Sequence, residues 1–173
     1  EEVVLSVVEY SKLKDIEIQF DTNVEEWIIK CDANMIERLM LNLLSNAIKF
    51  SDKGSHIYVD LVVKDEETEI IVKDQGIGIA KENQKAIFEK FVQVDKSFTR
   101  KNEGSGIGLS IVQYIVELHE GRIEIESELN KGTTFKVFLP NIVEKSDSDD
   151  EVKHYLDSYK VKLELSDIYE VLM

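Results

Sequence analysis

Residues 42–50 read Asn-Leu-Leu-Ser-Asn-Ala-Ile-Lys-Phe. Asn42, Asn46 and Lys49 are spaced by four and then three, which places two amides and one ammonium on a single helical stripe. Leu43, Leu44, Ala47 and Ile48 take the opposite stripe, and Met35, Ile36, Leu39 and Met40 extend it upstream, so the spacing predicts an amphipathic helix from 32 to about 50. Asp32 is a suitable cap for it, as is Asn34, which has Glu37 three residues on in capping-box register. Asparagine is a mediocre helix former with no value in a core, so two of them one turn apart point to work at the polar face. Their amide oxygens are hard ligands of the kind magnesium accepts, while the spacing alone fits a solvated helix face equally well.

Working outward, residues 3–13 put Val4, Val7, Val8 and Leu13 on one side of a short first helix. Residues 15–21 (Asp-Ile-Glu-Ile-Gln-Phe-Asp) alternate, with Ile16, Ile18 and Phe20 on one side, and predict a half-buried strand. Trp27 to Lys30 reads as a second short strand. Downstream, 56–63 and 68–74 predict a hairpin around a charged turn, and 109–119 a second strong helix running to Gly121, a residue suited to the left-handed stop position. Residues 122–128 and 133–140 predict a closing hairpin. The sum is an α+β two-layer sandwich, a mixed β-sheet covered on one face by two or three helices.

Two loops carry glycine in meaningful places. Asp74-Gln75-Gly76-Ile77-Gly78 follows a strand directly, which puts a carboxylate at the strand end and lets the backbone turn tightly beside it. That carboxylate suits an exocyclic amine such as adenine's, although the same five residues also make an ordinary turn. Gly104-Ser105-Gly106-Ile107-Gly108 runs straight into the helix at Leu109, so unobstructed amides and the positive helix end face one space, as in a phosphate cradle. A glycine hinge is the alternative. Between the loops a short helix fits 85–91, where Phe88 and Phe91 read first as packing residues and Lys90, Arg100 and Lys101 as cations within reach of phosphate or simply solvated.

The 173 residues amount to one domain and a tail. With 21 basic and 35 acidic residues the formal charge is −14, which disfavours nucleic acid and anionic lipid as partners. Cys31 is the sole cysteine, so neither an internal disulfide nor a multi-cysteine zinc site is available, and a reducing, cytoplasmic setting fits best. The apolar runs fall far short of a bilayer span, and the start at Glu1 without a leader reads as a piece of a longer chain. The folded domain is expected to occupy 1–142. An acidic linker follows over 143–153, and 154–173 forms a tail whose alternating Val161, Leu163 and Leu165 make it a candidate added strand.

Taken in order, these segments resemble the ATP-binding catalytic domain of sensor histidine kinases, in the superfamily that includes DNA gyrase, the Hsp90 chaperones and the MutL proteins. Asn42 to Phe50 resembles its N box, Asp74 to Gly78 its first glycine box, Phe88 to Phe91 its phenylalanine box and Gly104 to Leu109 its second glycine box. His-Glu-Gly-Arg-Ile from His119 and Lys-Gly-Thr-Thr-Phe from Lys131 resemble its closing helix and hairpin, so about 140 residues are covered.

The resemblance implies a Bergerat-type fold with a left-handed βαβ unit, holding ATP and magnesium between long helices and a lid near 97–103. It implies that Asp74 binds the adenine amine beside Gly76, Gly78 and Ile79, that Asn46 ligates magnesium, and that Asn42 and Lys49 support the phosphates. Phe50 and Phe91 would line the pocket, Phe50 standing where relatives often carry tyrosine. Gly104, Ser105, Gly106, Ile107, Gly108 and Leu109 would wrap the phosphates, with Lys90 and Arg100 as lid cations.

Relatives that hydrolyse ATP place a glutamate at the position of Asn42 as general base, and an amide cannot take that proton. The chain is therefore expected to transfer the γ-phosphoryl group to a histidine on a separate dimerisation domain of the same parent kinase. A response regulator is the implied downstream partner and a homodimer the implied parent. His56, His119 and His154 lack the motif of such an acceptor. The alternatives on the same fold are a serine kinase of the anti-sigma-factor type and a nucleotide-regulated interaction module without catalysis.

Overall fold

Strand alternation decides which face of the sheet is covered. The computed structural model describes residues 1–89 and 106–142. In chain order these form α1 (Glu2–Leu13), β1 (Glu17–Thr22), α2 (Ala33–Phe50), β2 (His56–Val63), β3 (Glu67–Lys73), a 3-10 turn (Ala86–Phe88), α3 (Gly108–Leu118), β4 (Arg122–Glu128) and β5 (Gly132–Pro140). The sheet order is β1-β2-β3-β5-β4. β1 and β2 are parallel, which requires the α2 crossover, and the remaining pairs are antiparallel.

Because side chains alternate along each strand, one register row places Phe20, Val59, Val72, Phe135 and Ile125 opposite one another, and the next places Leu61, Ile70, Val137 and Ile123. These rows belong to one hydrophobic core with the helices. On α2, Leu39, Leu41, Leu43, Leu44 and Ile48 are all essentially inaccessible, and each such side chain contributes roughly 1.5–3 kcal/mol over an exposed one. α2 packs between α1 and α3, so it is buried on more sides than a two-stripe reading allows. The opposite sheet face is polar apart from residues such as Phe138, whose ring is capped by the Arg122 guanidinium 3.8 Å from its centre.

Several local expectations need correction. Residues 27–30 form no strand. Trp27 and Ile28 stay exposed, at 43% and 71%, and Lys30 N–H donates to the Ile142 carbonyl. The stretch bridges β1 to α2 instead of pairing. In α1, Leu13 is half exposed while Tyr10 and Ser11 join Val4 and Val7 inside, because the helix rotates its tyrosine inward. Of the two caps offered for α2, Asp32 takes the role as expected, accepting from Met35 N–H at 3.1 Å. Within 85–89 the chain makes only the 3-10 turn.

The stop after α3 is also displaced by one residue. Glu120, and not Gly121, takes the left-handed conformation (φ 55°). Gly121 N–H donates to the Val116 carbonyl and Glu120 N–H to that of Glu117, the Schellman pattern. Gly121 is needed for a different reason: a Cβ there would stand 2.3 Å from the Phe138 carbonyl oxygen. The glycine is consumed by close packing, so glutamate bears the backbone strain.

Candidate nucleotide site

α2 presents Asn42, Asn46 and Lys49 on one side, as its spacing requires, and burial decides between the two readings of that stripe. Asn42 and Lys49 are 7% and 6% exposed and Asn46 is half-buried, so the stripe is not a solvated face. Asn42 donates from Nδ2 to the Arg38 carbonyl at 2.8 Å, which fixes the amide and turns Oδ1 toward α3. There it meets Gly108, where a Cβ would approach Oδ1 to 2.6 Å and stand 4.0 Å from Asn46 Nδ2. The amide stripe and the start of α3 therefore share one space.

Among the described residues that start of α3 has no side-chain cap. Gly106 holds φ 67°, Ile107 is the N-cap residue, and the Ser110 hydroxyl is turned back to the Ile107 carbonyl at 2.8 Å. The first-turn amides near Gly108 and Leu109 and the positive helix end remain directed outward beside Asn42. Gly106, Ile107, Gly108 and Leu109 form the turn into α3 and its first residues, with Gly108 beside Asn42. Lys90, Phe91, Arg100, Gly104 and Ser105 lie outside the described residues, as does the segment assigned to a lid.

Asp74 lies at the end of β3 and is 6% exposed. Its Oδ1 accepts from Gly76 N–H at 2.8 Å and Thr133 N–H at 3.1 Å, and its own N–H donates to the Thr133 carbonyl at 2.8 Å. Among the described residues, both of these side-chain bonds fall on Oδ1. Burial pushes the carboxyl up from its ordinary value, against the downward pull of the Gly76 and Thr133 amides.

The glycines of this loop pack first against the protein itself. A Cβ at Gly76 would lie 2.2 Å from the Phe50 carbonyl oxygen, and one at Gly78 (φ 65°) 2.0 Å from that of Glu128. Ile77 N–H donates to the Phe50 carbonyl at 3.2 Å, and Ile79 N–H to the Ser127 hydroxyl at 2.8 Å. The Asp74 loop is thereby clamped between the end of α2 and the β4-β5 hairpin. Phe50, 37% exposed, stands at that junction with the Lys49 ammonium 5.8 Å from its ring centre. Phe88 packs edge-on to Phe135 in the core, its centroid 6.4 Å away.

Sequence reasoning missed Thr133, Ser127 and Gly132. Gly132 (φ 88°) admits the Asp74 carbonyl, 2.1 Å from where its Cβ would be, and Ser127 ties the hairpin to Thr133 by a hydroxyl contact of 3.0 Å. The available signal was the Lys-Gly-Thr-Thr-Phe run, which resembled the family's closing hairpin without disclosing that its backbone holds the carboxylate.

Residues 31–142 match the family described as histidine kinase-, DNA gyrase B- and HSP90-like ATPases. The chain is 44% identical over 123 residues to the signal transduction histidine-protein kinase ArlS of Staphylococcus aureus, covering 70% of this chain and 27% of that protein. It therefore spans about a quarter of the length of the curated relative it matches. Among solved structures, the catalytic domain of histidine kinase ThkA superposes with a TM-score of 0.70 at 27% identity, covering 82% of this chain and 89% of that one. The mycobacterial sensor histidine kinase MprB gives 0.69 at 28% identity, covering 81% and 92%. Full-length ShkA in complex with AMPPNP gives 0.73 at 26% identity, covering 84% and 30%.

Proposed function

This chain belongs to the family of histidine kinase-, DNA gyrase B- and HSP90-like ATPases, as the ATP-binding catalytic domain of a histidine kinase, and on that premise we propose that it donates the ATP γ-phosphoryl group to a histidine outside it. The observation that carries the reading is the meeting of Asn42 with Gly108, which sets an amide stripe against an uncapped helix start. The buried Asp74 carboxylate, whose side-chain bonds among the described residues fall on one oxygen, suits the adenine amine at the other end of the site.

In this reading Asp74 selects adenine, Phe50 and Ile79 line the base, and the loop from Gly104 to Leu109 receives the phosphates, with Lys49, Lys90 and Arg100 as further cations. Magnesium would be held by the amide oxygen of Asn46, a hard donor on a half-buried stripe. Among the described residues no cluster of three or more His, Cys, Asp or Glu offers a preformed metal cage, which fits an ion that takes most of its ligands from phosphate and water. When bound, that ion neutralises phosphate charge. Asn42 cannot serve as a base toward water, so the domain positions and neutralises, and the proton chemistry at the acceptor belongs elsewhere.

The acceptor is a histidine on a dimerisation domain of the same parent kinase, which works as a homodimer upstream of a response regulator, with this domain on the cytoplasmic side. Among the described residues no helix is long and apolar enough to cross a membrane. The serine-kinase and interaction-module alternatives are not favoured, since the relatives named above are histidine kinases. Incubation with γ-labelled ATP and a histidine-bearing dimerisation domain tests the proposal. It predicts an acid-labile, base-stable phosphate on that domain, and acid-stable serine phosphate would contradict it.

A further inference from the structure

Lys14 follows α1 and has no place in any of the motifs above. Its ammonium reaches the far end of α2, donating to the carbonyls of Ile48 at 2.9 Å, Lys49 at 2.9 Å and Ser51 at 3.3 Å. An ammonium has three N–H donors, and here each finds a carbonyl oxygen. The last carbonyls of a helix have no partner within it and carry its negative end, so a half-buried cation there satisfies both needs. Burial pushes the Lys14 ammonium down from its ordinary value and the Lys49 charge adds to that, while Asp52 opposes it.

What Lys14 holds is the last turn of α2, the end that carries Lys49 and Phe50 of the proposed nucleotide site. The carbonyl of Lys49, whose side chain belongs to the polar stripe, is one of its acceptors, and Phe50 lies between two others. The Phe50 carbonyl in turn receives Ile77 N–H and sits where a Gly76 Cβ would be, which places the Asp74 loop. A continuous path of hydrogen bonds and close contacts thus runs from the end of α1 through the last turn of α2 to Asp74. Two backbone bonds fix the α1 end of that path, Gly54 N–H to the Asp15 carbonyl and Ile16 N–H to that of Ser11.

We propose that Lys14 is a positioning residue for the nucleotide site, coupling the seat of α1 to the placement of Phe50 and the Asp74 loop. The inference rests on the nucleotide-binding reading for its functional consequence, and on the hydrogen bonds alone for its structural one. The test therefore has two readouts: amide hydrogen exchange at Ser51 and Ile77 without nucleotide, and calorimetric affinity for a non-hydrolysable ATP analogue.

Lys14→Met is expected to speed exchange at both amides and to weaken the analogue by about fivefold or more. Lys14→Arg, which can still donate to the carbonyls, should restore both. Val7→Ala, which loosens α1 in the core without touching the carbonyls, should lower the melting temperature and leave affinity within about twofold. Unchanged exchange in Lys14→Met would overturn the inference, as would equal weakening by Val7→Ala, which would make Lys14 a mere anchor of α1. If exchange responds but the wild-type domain binds no analogue, the positioning stands and the nucleotide reading falls.

Discussion

Gly108 of α3 and Asn42 of α2 touch so closely that no side chain larger than hydrogen fits between them: a Cβ at 108 would stand 2.6 Å from Asn42 Oδ1. The contact joins the amide stripe to the helix start that faces it, and Asn42 has little room to yield because its Nδ2 is bonded to the Arg38 carbonyl. Gly108→Ala should therefore shift the start of α3 and weaken an ATP analogue about tenfold, a loss of roughly 1.4 kcal/mol. Adding Asn42→Ala opens the space, so a double-mutant cycle by calorimetry should show strong positive coupling. Additive losses would mean that the two residues act separately.

Asp74→Asn replaces a carboxylate by an amide of the same shape that can still accept from Gly76 and Thr133 at Oδ1. It should fold and lose most affinity for the adenine nucleotide, because the amide presents donors where the base amine needs an acceptor. The pH dependence has a defined sign. A carboxyl whose folded value is raised binds more protons in the native state, so its contribution to stability is greatest at low pH and declines as pH rises from 3.8 through the raised value. Thermal melts of wild type and Asp74→Asn across that range should converge at its acid end, with the wild type losing ground toward neutrality.

Phe50 is 37% exposed at the edge of the Asp74 loop, with apolar contact but no polar handle. Phe50→Tyr adds a hydroxyl at the edge of the proposed pocket, and should tighten nucleotide binding by up to about fivefold, the scale of one net hydrogen bond. Phe50→Ala should weaken it. Affinity that is the same in all three would remove Phe50 from the pocket.

Asp32 separates stability from binding. It caps α2 through Met35 N–H at the end remote from Lys49, so Asp32→Ala should cost about 1 kcal/mol in denaturant unfolding with nucleotide affinity unchanged.

How much of this was legible in the sequence depended on whether the controlling contact was local. α2 and the strands were readable because Leu39, Leu43 and Ile48, or Val59 and Val72, repeat at the period of the element that buries them. Trp27 and Ile28 misled because composition alone does not say whether an apolar run will find a partner. Gly121 misled because two demands competed for one glycine, and the Phe138 carbonyl, distant in sequence, won. At the candidate site, type and spacing made Asp74, Asn42 and Asn46 legible as polar residues in telling places, each with an ordinary structural alternative, and their roles came from the family resemblance. The hold of Thr133 on Asp74 and of Lys14 on α2 was not, since those bonds join residues 59 and more than 30 positions apart.

Asp74 and the Asn42 stripe are proposed to form one site for ATP with magnesium. Calorimetric titration of the wild-type domain with a non-hydrolysable ATP analogue, with and without magnesium and alongside Asp74→Asn and Asn46→Asp, tests it most directly. The expected result is one-to-one binding that Asp74→Asn weakens at least about tenfold and whose magnesium dependence changes in Asn46→Asp. Binding that is indifferent to both substitutions, or no binding by the wild type under any condition, would contradict it.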